Sequence, residues 1–377
     1  MKLLIISPKN RTVYNFRGDL IREIQQYGYE VGVTGPDQAD MDQIEALGVT
    51  FFEIPMNKNG TNVFRDLAYM KSLYALMKRE KPDITLGYTI KPVVYGAMAA
   101  KLAGVKNINS LVTGGGYTFI SKSLKARICG MIVRLLYKVG LGCSTHVIFQ
   151  NQDDLAEFTS KHLVKRDKCG TVNGSGVNMS QFTPAAPPAK ISFLMISRLL
   201  KSKGVCEYME AAGMVKKKFP DVEFGLLGKY ENKMQDAVPR SHVDSFIAAG
   251  VIIRYEETSD VRPYYRKCSV YVLPSYREGT PRTVLEAMAS ARPIITTNAT
   301  GCRQTVQDGK TGFLVPVYDS MALAEKMEWF VQNPHAIDEM GRAALQYCKE
   351  EFDVNVVNNC MLQMMGIKQR RAADGAN

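Results

Sequence analysis

The sequence lacks the features that mark a membrane-spanning or disulfide-built chain. No apolar run approaches the ~18 to 20 residues of a spanning helix. The opening Met1-Lys2-Leu3-Leu4-Ile5-Ile6-Ser7-Pro8 is too short for a signal-peptide apolar region and reads as a first buried strand. The eight cysteines (Cys129, Cys143, Cys169, Cys206, Cys268, Cys302, Cys348 and Cys360) are scattered, with no C-x-x-C pair and no clustering with the four histidines. That spacing argues against a disulfide framework or a structural zinc site and fits reduced cytosolic thiols. There is no low-complexity segment.

What the sequence does have is length, apolar content and an uneven charge. With 377 residues and 46% hydrophobic side chains, the chain is long enough for two domains, each with a core of its own. The net charge is +11, and residues 58–138 alone hold 14 basic and 3 acidic side chains, the same excess as the whole chain. Such a field attracts polyanions: an anionic lipid surface, a diphosphate-linked acceptor or a nucleic acid. No aromatic-and-basic motif of a known nucleic-acid module accompanies it, so nucleic acid is not expected as a partner.

Short β-rich runs alternate with helical patterns. Leu3–Ser7, Glu30–Thr34, Val49–Ile54, Ile84–Gly87, Lys106–Val112 and His146–Gln150 read as strands, with helices near Arg17–Tyr27 and Met41–Leu47. The run Thr183-Pro184-Ala185-Ala186-Pro187-Pro188-Ala189 breaks the pattern and reads as a linker. Beyond it the alternation restarts with strands at Ile191–Ile196, Glu223–Leu227, Gly250–Tyr255, Val270–Leu273 and Pro293–Thr297, and helices at Val205–Phe219, Pro281–Ser290 and Met321–Val331. The expected fold class is α/β: two Rossmann-like, doubly wound domains facing across a cleft, where such sheets bind ligands outside their carboxyl ends. The expected division is 1–183, 184–355 and a C-terminal helix and tail, 356–377, packing back toward the first domain. The helix is expected to run from Val354 to Arg371.

Three segments carry chemistry. In the segment from Pro274 to Ala289, a strand ends, a loop Tyr276-Arg277-Glu278-Gly279-Thr280 follows, and Pro281 suits the first turn of a helix holding Thr283 and Glu286. Backbone N–H groups of Gly279 and Thr280 beside a positive helix end suit an anion or a hydroxyl-rich ligand. Alone, two glutamates eight residues apart would more readily be solvated charges. In the second segment, Ser197-Arg198-Leu199-Leu200-Lys201-Ser202-Lys203-Gly204, a strand-to-helix turn places Arg198 and Lys203 five residues apart. In the third, Lys122 to Lys138, the cations Lys122, Lys125, Arg127, Arg134 and Lys138 alternate with apolar residues at helical spacing, as a solvated core helix or a membrane-docking helix would. Asp40-Met41-Asp42 is a D-x-D at a helix start, where acidic residues complement the helix dipole without any metal.

The segment from Pro274 to Ala289, continued by Ala291–Thr296 and Gly301–Pro316, resembles the signature of glycosyltransferase family 4, in its capsule and O-antigen branch. The turn around Arg198 resembles the family's first strand-to-helix turn in the second domain, Val147–Leu155 resembles the last strand of its first domain, and Asn173–Asn178 resembles the glycine-bearing crossover into the linker. The resemblance implies a retaining transferase of the GT-B type using a UDP-sugar donor and no metal or other cofactor. It implies that Arg198 and Lys203 hold the donor diphosphate, that Glu278 with the Gly279–Thr280 backbone orients the sugar, that Glu286 binds the ribose, and that Pro281 and Thr283 belong to the donor-binding set. The acceptor it implies is a polyprenyl-diphosphate-linked glycan, reached by an enzyme lying peripherally on the cytoplasmic face of the membrane. The first domain departs from the family: the glycine pair after the first strand and the usual histidine are missing. Asn15, Gly114 and Gly115 are the remaining candidates for loop contacts there. A nucleotide-sugar epimerase on the same frame is the alternative reading.

Overall fold

The computed structural model describes the chain apart from residues 58, 59, 61, 115–123, 232, 233 and 370–377, and apart from the side chains of 124–129. It divides into two units, Met1–Ser175 with the chain from Val357 onward, and Gly176–Val356.

The first unit is a sheet of seven parallel strands in the order β3-β2-β1-β4-β5-β6-β7. These are β1 Lys2–Ile6, β2 Glu30–Gly35, β3 Thr50–Glu53, β4 Ile84–Tyr88, β5 Asn107–Val112, β6 His146–Phe149 and β7 Cys169–Thr171. Its helices are α1 Asn10–Gln26, α2 Met41–Glu45, α3 Val63–Glu80, α4 Ala97–Ala103, α5 Leu124–Cys143 and α6 Gln152–Ser160. Strands buried on both faces must be apolar throughout, which is why Leu3-Leu4-Ile5-Ile6 carries no polar alternation. Leu3 and Ile5 face the core shared with α1, whereas Leu4 and Ile6 face the core shared with α3, α4 and α5. Gly140 lets α5 approach closely: a Cβ there would lie 2.6 Å from Val94 Cα.

The second unit has six parallel strands in the order β10-β9-β8-β11-β12-β13. They are β8 Ser192–Ile196, β9 Glu223–Leu227, β10 Ile253–Tyr255, β11 Val270–Leu273, β12 Ile294–Thr297 and β13 Gly312–Val315. Around them lie α7 Val205–Lys218, α8 Arg240–Ala248, α9 Arg262–Lys267, α10 Arg282–Ala289, α11 Ser320–Gln332 and α12 His335–Glu351. Each unit is doubly wound, as the strand-helix alternation implied.

The boundaries differ from the sequence expectation. The division falls at Ser175 and not at 183, because Val177 and Phe182 are buried in the second core. The fully buried Arg292 donates to the carbonyl of Ala186 at 3.3 Å, so the proline-rich run belongs to the second unit's wall. The last helix, α13, spans Val354–Met364 and stops well short of residue 371. Gly366 takes a left-handed φ of 66°, and the amides of Gly366 and Ile367 fold back on the carbonyls of Gln363 and Leu362. Val357, Met361, Leu362 and Met365 of this segment are buried in the first unit's core.

Candidate functional site

Two of the second unit's candidate residues, Lys203 and Glu278, meet at its topological switch point. Strand order reverses between β8 and β11, and both strands end at turns that carry the proposed donor residues. After β8 the chain makes a short 3-10 turn over Lys201–Lys203 and enters α7 through Gly204. After β11 it runs through Pro274 to Pro281 into α10.

Gly204 fixes the distance between the two turns. Its φ is 74°, and a Cβ there would sit 2.1 Å from the carbonyl oxygen of Pro274, so neither conformation nor space admits a side chain. Tyr276 donates its backbone N–H, and Ser275 its hydroxyl, to the carbonyl of Ser202 at 3.0 and 3.1 Å. Glu278 is thereby brought to Lys203: its Oε1 forms an ion pair with Lys203 Nζ and accepts a hydrogen bond from Ser275 Oγ at 2.7 Å. Both side chains of the pair are largely shielded from solvent. Gly301, with φ 77°, holds the other side of the loop, a Cβ there lying 2.2 Å from the Glu278 carbonyl oxygen. Glu278 in turn donates its N–H to the Thr300 carbonyl at 2.9 Å.

Glu286 sits in a different environment. It lies in α10 at 9% exposure, accepting from Tyr265 Oη at 3.0 Å and from Arg282 Nε at 3.0 Å. Burial raises its carboxyl pKa above the ordinary value, partly opposed by Arg282 and by the tyrosine hydrogen bond. Thr283 accepts from Tyr265 Oη through its carbonyl at 3.0 Å, and Thr280 Oγ1 accepts from Gln304 at 3.2 Å. Pro281 caps α10 with extended backbone. Arg198 is exposed, and among the described residues its guanidinium meets no carboxylate.

Three residues inside the signature segments have roles that the sequence did not show. Ser275, fully buried, positions Glu278. Tyr276 donates to Glu207 Oε1 at 2.6 Å, and its ring lies 4.1 Å from that of Tyr318, an exposed residue held at φ 63°. Cys302 packs under the loop with its thiol pushed up to about 12 by burial, with Glu278 adding to the effect, so it remains a neutral packing group.

The first unit has its own switch point between β1 and β4. Tyr88 donates to Ser7 Oγ at 2.8 Å there, and Thr89 takes φ 68° before a π-helical turn, Pro92–Gly96. Lys91 Nζ pairs with Asp66 at 2.5 Å, a residue that sequence reasoning missed although it stands just before a proline at a strand end. Asn15 is corrected here: it lies on the exposed side of α1, which begins at Asn10, and is not a loop residue. Gly114 follows β5 at φ 107°. Gly115 and Lys122 lie outside the described residues, as do the side chains of Lys125 and Arg127, while Arg134 and Lys138 lie on α5. Asp40 and Asp42 flank the start of α2, and among the described residues no group of three or more His, Cys, Asp or Glu side chains could hold a metal ion.

Two family models match the chain: "Glycosyl transferase 4-like" over residues 2–151 and "Glycosyl transferases group 1" over residues 180–347. A Campylobacter jejuni protein named N,N'-diacetylbacillosaminyl-diphospho-undecaprenol alpha-1,3-N-acetylgalactosaminyltransferase is 26% identical, over 97% of this chain and 98% of its own length. An Escherichia coli UDP-Gal:alpha-D-GlcNAc-diphosphoundecaprenol alpha-1,3-galactosyltransferase is 27% identical over 72% of each chain. Among solved structures, a Rickettsia africae glycosyltransferase superposes with a TM-score of 0.78 at 20% identity, covering 97% of both chains. Anabaena HepE, solved with UDP and glucose, gives 0.78 at 17% identity over 97% of this chain and 99% of its own. The fold is therefore GT-B.

Proposed function

This chain belongs to the family-4-like glycosyltransferases of group 1, and on that premise we propose that it builds a surface polysaccharide of the capsule or O-antigen kind. In this reading it moves a hexose or N-acetylhexosamine from a UDP-sugar to a hydroxyl of a polyprenyl-diphosphate-linked glycan, with retention. The relatives above are named for lipid-diphosphate-linked substrates and alpha linkages, which supports this choice. None of them supports an epimerase.

The observation that carries the reading is the contact between Lys203 and Glu278 at the switch point of the second sheet. A cation and a carboxylate held together there suit a donor that is anionic at its diphosphate and hydroxyl-rich at its sugar. Arg198 and Lys203 stabilise the charge that grows on the leaving diphosphate, most effectively once the site excludes water. Glu278, steadied by Ser275, accepts from sugar hydroxyls, the Gly279–Thr280 backbone orients the ring, and Glu286 accepts from the ribose. The C1–O bond to the β-phosphate breaks as the acceptor oxygen bonds to C1 on the same face. The acceptor's proton passes to the departing phosphate oxygen, so no protein nucleophile is required.

Since side-chain cations carry the diphosphate in this reading, no metal or other cofactor is needed, and activity should persist in EDTA. The five cations Lys122, Lys125, Arg127, Arg134 and Lys138 are assigned to an anionic membrane surface at the cytoplasmic face. Among the described residues no helix is long and apolar enough to cross a membrane.

The experiment is transfer from a panel of UDP-sugars to a polyprenyl-diphosphate-linked monosaccharide, with anomeric configuration read by NMR. An α product from an α-linked donor supports the proposal. An inverted product, loss of activity in EDTA restored by manganese, or interconversion of the donor sugar without transfer would overturn it.

A further inference from the structure

The helix α3 carries large apolar side chains on its outer face as well as its inner one. Its inner face buries Asp66, Tyr69, Leu73, Leu76 and Met77. The outer face, at positions 64, 67, 71, 74 and 78, carries Phe64, Leu67, Lys71, Tyr74 and Lys78, all exposed. Phe64 is the extreme case at 84% exposure, in the first turn, where Asn62 caps the helix by accepting from the Arg65 amide at 3.1 Å. With Val63 at 64% and Leu67 at 47% exposure, Phe64 forms a contiguous apolar patch on the first two turns, which isolated exposed side chains do not account for.

α3 has a companion. α5 exposes Met131, Ile132, Leu135 and Val139 along one stripe while burying Tyr137 and Leu141. The buried residues of α3, α4 and α5 share one core cluster, so the three helices form a single layer over one face of the first sheet. The charge of this layer is predominantly positive. Residues 84–152 contain no aspartate or glutamate and eight lysines and arginines. On α3 itself both acids are engaged, Asp66 with Lys91 and Glu80 with Lys2 and Arg79, which leaves Lys71 and Lys78 on the outer face.

We propose that the outer face of α3 is a second membrane-seating surface, with Phe64 and Leu67 entering the acyl boundary of an anionic bilayer and Lys71 and Lys78 lying among its headgroups. Exposed aromatic and aliphatic residues interleaved with unopposed cations match the chemistry of an anionic lipid interface. A second copy of this chain would bring the same positive charge to the contact and be repelled. The proposal rests on the lipid-linked acceptor reading above and deepens it. To the cations and apolar stripe of α5, α3 adds two further cations and the insertion of Phe64 and Leu67.

The test uses the full chain. Phe64→Trp is introduced with Trp329→Phe, which removes the chain's single tryptophan, and emission is followed on phosphatidylglycerol vesicles, on phosphatidylcholine vesicles and on phosphatidylglycerol vesicles with brominated acyl chains. A blue shift on the anionic vesicles, with quenching by the brominated chains, is expected. Phe64→Ser with Leu67→Ser, checked for an unchanged melting temperature, should lower co-sedimentation with phosphatidylglycerol vesicles at least tenfold. Unshifted and unquenched emission on vesicles that sediment the protein would overturn the proposal. So would equal binding to phosphatidylcholine, or a concentration-dependent dimer, seen by ultracentrifugation, that the serine pair abolishes. Transfer of sugar by the wild-type chain to a soluble acceptor analogue tests the enzymatic reading independently, since it needs no vesicle.

Discussion

Lys203 and Glu278, 75 residues apart in sequence, form an ion pair at the junction of two strand-to-helix turns, with Ser275 hydrogen-bonded to the same carboxylate oxygen. The sequence reading gave them separate tasks, the cation for the diphosphate and the carboxylate for the sugar. In contact, each sets the position of the other, so the two tasks are coupled.

Lys203→Ala and Arg198→Ala should each lower turnover by roughly two to three orders of magnitude, as removing one charge-stabilising donor does. Lys203→Ala should also raise KM, because it frees Glu278, whereas exposed Arg198 holds no partner whose loss would matter. Steady-state kinetics on folded protein checks this, and near wild-type turnover in both variants would remove the diphosphate role.

Glu278→Gln should impair transfer far more than UDP binding, because the carboxylate is assigned to the sugar. Glu286→Ala should weaken UDP binding itself. Calorimetry with UDP separates them, and the reverse pattern would exchange the two assignments.

Glu286 also predicts a pH dependence. Burial raises its pKa, so the folded state holds an energetic penalty once the carboxyl ionises and none below the unfolded value. The stability gained by Glu286→Gln should therefore be absent near pH 4 and grow as pH rises through the raised pKa. Urea titrations of both proteins across that range check the sign. UDP affinity of the wild type should fall on acidification through the same window, and the glutamine variant should not show that fall.

Gly204→Ala should be costly although it changes one methyl. Left-handed backbone and a 2.1 Å approach to the Pro274 carbonyl combine strain with overpacking, each on the order of 1 to 3 kcal/mol. At roughly 2 to 4 °C per kcal/mol for a domain of this size, Tm should drop by about 4 °C or more, with activity falling further as Lys203 and Glu278 part. Gly250→Ala, also at positive φ but with open space around it, should cost less.

Legibility followed periodicity and turn chemistry. The inner strands could be read because burial on both faces leaves no polar residue in Leu194-Met195-Ile196 or Val270-Tyr271-Val272-Leu273. The loop from Tyr276 to Pro281 could be read because glycine and proline punctuate it. The helix α3 could not, since Phe64 and Leu67 on its outer face blur the amphipathic period that reveals a surface helix. Arg292 hid the true boundary: nothing local shows that its guanidinium reaches back to the Ala186 carbonyl. The Lys203–Glu278 pair depends on Gly204 meeting Pro274 across 70 residues, a relation that no window of sequence contains.

The path of the last helix bears on how the protein is made. Residues 176–356 form one unbroken stretch that makes up the second unit, whereas the first unit lacks Val357, Met361, Leu362 and Met365 until that stretch has been synthesised and α13 has left the ribosome. The part synthesised first is thus the part completed last. At ~5 to 20 residues per second, the face of the first sheet awaiting α13 stays open for many seconds of elongation, and a nascent chain stalled before residue 357 would present an apolar gap that a chaperone could recognise.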